Sequence, residues 1–314
     1  MESAIAWTSD DVMKAMTVIV AGLLTLVGVQ LSLLTPKRGG NGKGGLAGST
    51  WLACPATNPA KRDWEVFNLL YGPVWIGCMA VIVAFSLYES FDEFVYLAVL
   101  VGLCIPIFAF PFVGELQPPE QGLPWSQRFA VRANLWIATY SFIGNYWYTH
   151  YFYSVLKASY SFPSWCLNGV PIPLYFATFF YFCFYHTLSN MAIRKVVTKY
   201  EAGIGRSFAL ITLVGTMAYT TAFMETLTIS GFPYYSFEDR NMAYIVGSAF
   251  YGIYFIVSFP MFYALDEWPP LNPALGTGRS LWGVAVDSMG GCMLILTLLD
   301  LVRLVLGVEL TIQG

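Results

Sequence analysis

Six groups that can carry charge fall within long, otherwise apolar stretches: His150, His186, Glu225, Asp287, Asp300 and Arg303. An ionisable side chain in hydrocarbon is costly to keep, so each is a candidate for function. Glu225 is the most isolated. Uncharged residues run from Ser207 to Met224 before it and from Thr226 to Phe237 after it. No cation lies within a helical turn, so any partner must come from another helix. Such a carboxyl is expected to stay neutral and to serve as a proton donor. The others have plainer readings as well. Asp300 and Arg303, three apart on one helix, can neutralise each other. Asp287 lies near the start of its span, within reach of headgroups. His186 shares a helical face with Asn190 at i, i+4 and fits equally well as a satisfied structural histidine.

Aromatic residues form a second constellation. Eight of the fourteen residues from Tyr140 to Tyr153 carry rings, Tyr146, Trp147 and Tyr151 among them. Eight more fall between Tyr175 and Tyr185. Belts at the two membrane interfaces are ordinary, but these rings fill several successive turns. They suit either packing against lipid or a pocket for a large, flat, apolar ligand, whose positive charge the ring faces would stabilise.

The elements that position these groups follow from composition. The chain has 314 residues, 57% of them apolar and 11% charged, where a soluble domain carries about a quarter charged. That excludes a soluble globule, a disordered chain and a nucleic-acid binder with a basic face. Uncharged runs long enough to cross a bilayer fall at 15–35, 66–88, 94–114, 133–156, 170–190, 207–231, 241–263 and 282–306. The expected fold class is therefore all-α, a polytopic transmembrane helical bundle of about eight spans embedded in the lipid bilayer. Prolines 73, 106, 111 and 260 are expected to kink their helices. Residues 1–50 read as a one-span extension with an uncleaved anchor and a Gly/Lys-rich linker, and 51–314 as a seven-span body. Twelve of the sixteen Lys and Arg fall in alternate loops, at 35–65, 115–132, 191–206 and 264–281. That side is expected to be cytoplasmic, with both termini lumenal or exoplasmic.

Counting from the span starts places His150, Glu225 and Asp300 at one depth, about 25–27 Å from the cytoplasmic boundary. If their helices are neighbours, one layer holds a His, a Glu and an Asp–Arg pair. The six cysteines form no C-x-x-C pair, and two histidines on opposite levels make a poor metal site. No nucleotide loop or nucleophile elbow is present, so neither metal nor cofactor is expected.

Several blocks resemble the cycloeucalenol cycloisomerase, or cyclopropyl sterol isomerase, family. They are NPAKRDWE at 58–65, RANLWIATYSFIGNYWYTHYFYSVLKASYSFPSW at 132–165, FYHTLSN at 184–190, FMETLTISGFPYYSFEDR at 223–240, YFIVSFPMFYALDE at 254–267 and AVDSMGGCMLILTLLDLVRLVLG at 285–307. Residues 1–50 and a longer loop at 268–279 depart from the family pattern. The resemblance implies a multi-pass isomerase of the endoplasmic reticulum membrane. It would open the 9β,19-cyclopropane ring of cycloeucalenol to give obtusifoliol, a Δ8 sterol, without a cofactor. Such chemistry needs a protonated acid, a cation stabiliser, a base and a partner for the sterol hydroxyl. Glu225 is the expected acid. His150 would orient it or act as base, with Asp300, near Arg303, in reserve. Tyr146, Trp147 and Tyr151 would face the cation. Asn145, Asn190 or His186 would bind the hydroxyl. Three other readings use the same residues: a sterol Δ8–Δ7 isomerase resembling the emopamil-binding proteins, a sterol sensor without catalysis, and a proton-coupled transporter. The last is opposed by the lack of an internal repeat.

Overall fold

The computed structural model describes residues 9–37, 50–113, 120–229, 231–265 and 279–309. Within them the chain forms eight long helices running up and down. They are α1 (Ser9–Ser32), α2 (Pro59–Ala84), α3 (Glu93–Ala109), α4 (129–156), α5 (Ile172–Lys199), α6 (Ile204–Ile229), α7 (Arg240–Tyr263) and α8 (Leu281–Leu306). Local chemistry sets several ends. Pro59 opens α2 and Pro173 lies in the first turn of α5, where a missing N–H costs nothing. Asp92 and Ser280 accept from the Val95 and Gly283 amides to cap α3 and α8. Gly307, at φ +67°, closes α8.

Six of these helices, α1, α2, α3, α6, α7 and α8, are long and apolar enough to cross a membrane. The stretches 133–156 and 170–190, expected as spans, are helical but fall in α4 and α5, which lie outside that set. Their place in the bundle gives the reason. α5 packs against α2, α3, α4, α6 and α7, and α4 is sandwiched between α5, α8 and α2. Central helices face protein more than lipid, so they tolerate Asn134, Asn145, His186 and Asn190, all buried. The remaining seams pair α6 with α7, α1 with α6, and α7 with α8. The amino-terminal helix is thus docked on the body, with Val12 and Met16 in a cluster with Phe223 and Tyr244. The linker at 38–49 and most of the loop at 268–279 lie outside the described residues.

Two departures from plain α-helix matter for the site. First, α4 contains π turns at Gly144–Tyr148 and Phe152–Leu156, and α7 has one at Ala243–Gly247. Each wide turn shifts the face on which later residues point. Second, the all-α expectation needs a small correction. The ends opposite the basic loops carry two short antiparallel pairs, β1 (Ala158–Tyr160) with β4 (Tyr235–Phe237) and β2 (Cys166–Leu167) with β3 (Val170–Pro171). Their backbone groups satisfy one another across the mouth of the bundle. Of the four prolines expected to kink, Pro73, Pro106 and Pro260 stay inside helices, whereas Pro111 sits in a 3₁₀ turn that ends α3.

The basic end is fastened by a buried ion pair. Arg194 on α5 grips Glu65 on α2 with both nitrogens, at 2.6 and 3.0 Å, and the same carboxylate accepts from the Ala53 amide. Lys61, also fully buried, donates to the carbonyls of Tyr263 and Leu265 and so caps α7. Breaking such a pair strands a charge in the interior. Arg194→Met should therefore destabilise the fold by about 3–5 kcal/mol, read as a lower melting temperature in detergent. Replacing Glu65 by Gln in the same chain should recover part of the loss.

Candidate active site

Glu225 lies one turn from the end of α6, with its residue 6% exposed. The Tyr251 hydroxyl on α7 donates to its Oε1 at 2.8 Å. Tyr185 on α5 also interacts with the carboxyl, while no group meets hydrogen-bond geometry at Oε2. Three mutually packed helices thus converge on one acid. The partner is a pair of phenols, which support a carboxyl without supplying a positive charge.

The carboxyl opens onto a cavity of about 750 Å³, a size suited to a large apolar ligand. Trp75 on α2 and Tyr181, Phe182 and Tyr185 on α5 line one part of it. Phe152 on α4 and Tyr251 and Tyr254 on α7 line another, with ring centroids 4.8–5.1 Å apart between Tyr251 and its two neighbours. Over the end with the strand pairs lie Tyr88, Tyr160, Phe162, Phe232 and Tyr235. Tyr160 and Tyr235 are register partners whose rings approach to 4.5 Å. Polar groups are few. Asn145 on α4 donates its amide to the Ser141 carbonyl and to Thr178 Oγ1, at 2.9 and 2.7 Å, leaving Oδ1 available. The hydroxyls of Thr220 and Tyr254 have no hydrogen-bond partner. Among the described lining residues, Glu225 is the one carboxyl, and no Lys, Arg or His joins it. No cluster of metal-ligating side chains occurs among the described residues.

The single layer expected from depth is not assembled. Counted from their helix starts, His150, Glu225 and Asp300 lie at similar positions along α4, α6 and α8. What differs is the direction each faces. His150 is buried, with Nε2 2.9 Å from Asn168 Nδ2 on the β2–β3 turn and its ring against Tyr153. Asn145, Thr149 and Phe152, spaced i, i+4 and i+7, rather than His150, lie on the cavity side of α4. Asp300 is 44% exposed at its side chain and is held by Arg303 at 2.8 Å, the local neutralisation its spacing allowed. Asp287 pairs likewise with Arg279 at 2.7 Å.

Among the residues expected to bind substrate, Asn145 lines the cavity; Tyr146, Trp147, Tyr151, His186, Asn190 and Arg303 do not. His186 is fully buried, bonded to the Phe182 carbonyl and to Ser258, and enclosed by Trp136, Phe259 and Phe262. Asn190 is buried with neither side-chain polar atom bonded. Trp147 points outward and is 45% exposed. Tyr251 and Tyr254 were not singled out from the sequence. Their i, i+3 spacing on the span that pairs with α6 was the available signal, since a carboxyl without a cation needs hydroxyl donors from a neighbour.

Comparison with known proteins bears on this geometry. No family model matches the chain, and no solved structure matches it. A cycloeucalenol cycloisomerase from Arabidopsis thaliana is 42% identical over 265 residues, covering 82% of this chain and 90% of the relative. At that identity and coverage, with one acid facing a sterol-sized apolar cavity, the chain belongs to the cycloeucalenol cycloisomerase family.

Proposed function

We propose that this protein is an intramembrane sterol isomerase that opens the 9β,19-cyclopropane ring of cycloeucalenol to give obtusifoliol, with Glu225 as the acid. The observation that carries the reading is a lone carboxyl, held by phenols, at the wall of an apolar cavity. All eight helices cross the bilayer in this reading, α4 and α5 shielded by the others, and the protein resides in the endoplasmic reticulum membrane.

The chemistry follows from the groups present. A strained C–C bond is a weak base, so protonating it needs a neutral acid in a site that excludes water. Among the described residues, no cation lines the cavity to hold Glu225 as a carboxylate. Its proton passes to C19, the C9–C19 bond breaks, and C19 becomes a methyl group on C10. The positive charge left near C9 faces the rings of Tyr251, Tyr254 and Phe152. The C8 proton is then lost and the C8–C9 double bond forms. The 8β hydrogen and C19 lie on the same face of the sterol, so the carboxylate just formed is placed to take that proton. This assigns to Glu225 the base role first considered for His150 and Asp300. Its Oε1 keeps the Tyr251 bond throughout, which fixes the orientation of Oε2. Asn145 Oδ1 is the proposed acceptor for the 3β-hydroxyl. No electrons are gained or lost, and the reaction needs no redox cofactor.

Glu225→Gln keeps the shape and removes the acidity. Turnover by the purified variant should fall about 10²–10⁴-fold, with bound sterol retained; near-normal turnover would remove Glu225 from the reaction. Tyr251→Phe should lower kcat about tenfold or more with KM little changed, because it loosens the acid rather than the pocket. Trp147→Ala should leave both constants within about twofold, since that ring faces away from the cavity. Steady-state assays with the sterols separated by chromatography check both.

A further inference from the structure

A cavity that takes a sterol needs an entrance, and the arrangement of exposed and buried lining residues locates one. On α2, Ile76, Ala80 and Val83 line the cavity at i, i+4 and i+7, one helical face, and all three are exposed. On α6, Met224 and Thr228 do the same at i, i+4. Between them, at the back, lies Leu188 of α5. Ile76, Val83, Leu188 and Met224 are 43%, 47%, 38% and 48% exposed. Residues that belong to the cavity wall and to the outer surface at once mark its rim.

The packing explains why a gap exists here. α2 packs on α4 and α5, and α6 packs on α1, α5 and α7, so α5 backs both without a seam joining α2 to α6. Towards the basic end the slot closes, because α2 meets α5 so closely at Gly72 that any side chain there would run into the Phe184 ring. Towards the other end the strand pair and its aromatic rings cover the cavity. The rim is apolar. Its one hydroxyl, that of Thr228, is already donated to the Glu225 carbonyl. A polar solute gains nothing at such an opening, whereas a lipid-dissolved sterol crosses it without leaving an apolar medium.

We propose that the slot between α2 and α6 is a lateral portal through which the sterol enters from, and returns to, the hydrocarbon of the bilayer. The proposal rests on the reading of the protein as a sterol isomerase, and its test can fail without that reading failing. In a Cys78→Ser chain, which removes the exposed thiol beside the rim, Ile76→Cys is paired with Met224→Cys. A second chain pairs Ala80→Cys with Thr228→Cys, in case the first does not fold. Each is bridged with reducible bifunctional thiosulfonates of graded length, and the bridge is located by mass spectrometry. Bridging should cut multiple turnover at least tenfold, and reduction should restore it. Enzyme loaded with cyclopropyl sterol before bridging should still convert that one molecule. Bridged enzyme that turns over within twofold of its reduced form overturns the portal while leaving the isomerase reading intact. Loss of conversion in preloaded enzyme overturns it too, since the bridge would then act on the chemistry and not on entry.

Discussion

The hydrogen bond from Tyr251 to Glu225 is the interaction around which the cavity is organised. A carboxyl in an apolar interior must be paired with a cation, bonded to donors, or left out of the fold. Here it is bonded to a phenol, and the consequence is chemical. An arginine in the same place would hold the group as a carboxylate, unable to serve as the proposed acid. A phenol supports the carboxyl at one oxygen while leaving the second without a hydrogen-bond partner. The requirement also dictates architecture. α6 must lie against α7 to bring Tyr251 to Glu225, and against α5 to bring Tyr185.

The two ends of the molecule meet a different demand with different means. At the basic end, real charges are buried and fully paired: Glu65 with Arg194, and Lys61 with two carbonyls closing α7. At the other end aromatic rings and two short strand pairs take the place of buried ion pairs. The first end is held rigidly by ion pairs, and the second is a cover over the ligand space. Putting the ion pairs at the end away from Glu225 keeps cations out of the cavity that the acid faces. Stability and acidity are thereby built from the same residue types in separate places.

Much of this was legible in the sequence because hydrocarbon is an unforgiving solvent. Glu225 stood out since nothing charged lies near it along the chain, and the cavity lies where it sits. Of the three polar groups named for the sterol hydroxyl, Asn145 lines the cavity, and the resemblance to cyclopropyl sterol isomerases agrees with the identity to the Arabidopsis relative. Which way His150 and Asp300 face was not legible in the sequence. Residue counts measure distance along a helix and leave open which neighbour each face meets. His150 faces Asn168, and Asp300 faces outward with Arg303. The stretches 133–156 and 170–190 were expected as spans and fall in the two helices outside the set apolar enough to cross a membrane, because helices shielded by other helices need not be apolar. Tyr251 was missed for a related reason. A tyrosine in a span is unremarkable until the helix beside it is known to carry an unpaired acid.

The most direct test of the account is a structure of the protein with an uncleavable cyclopropyl sterol analogue bound. The account predicts that Glu225 Oε2 lies about 3–3.5 Å from C19, on the β face of the ring system, with Tyr251 still bonded to Oε1. A sterol seated with its cyclopropane turned away from Glu225, or held outside this cavity, would contradict it.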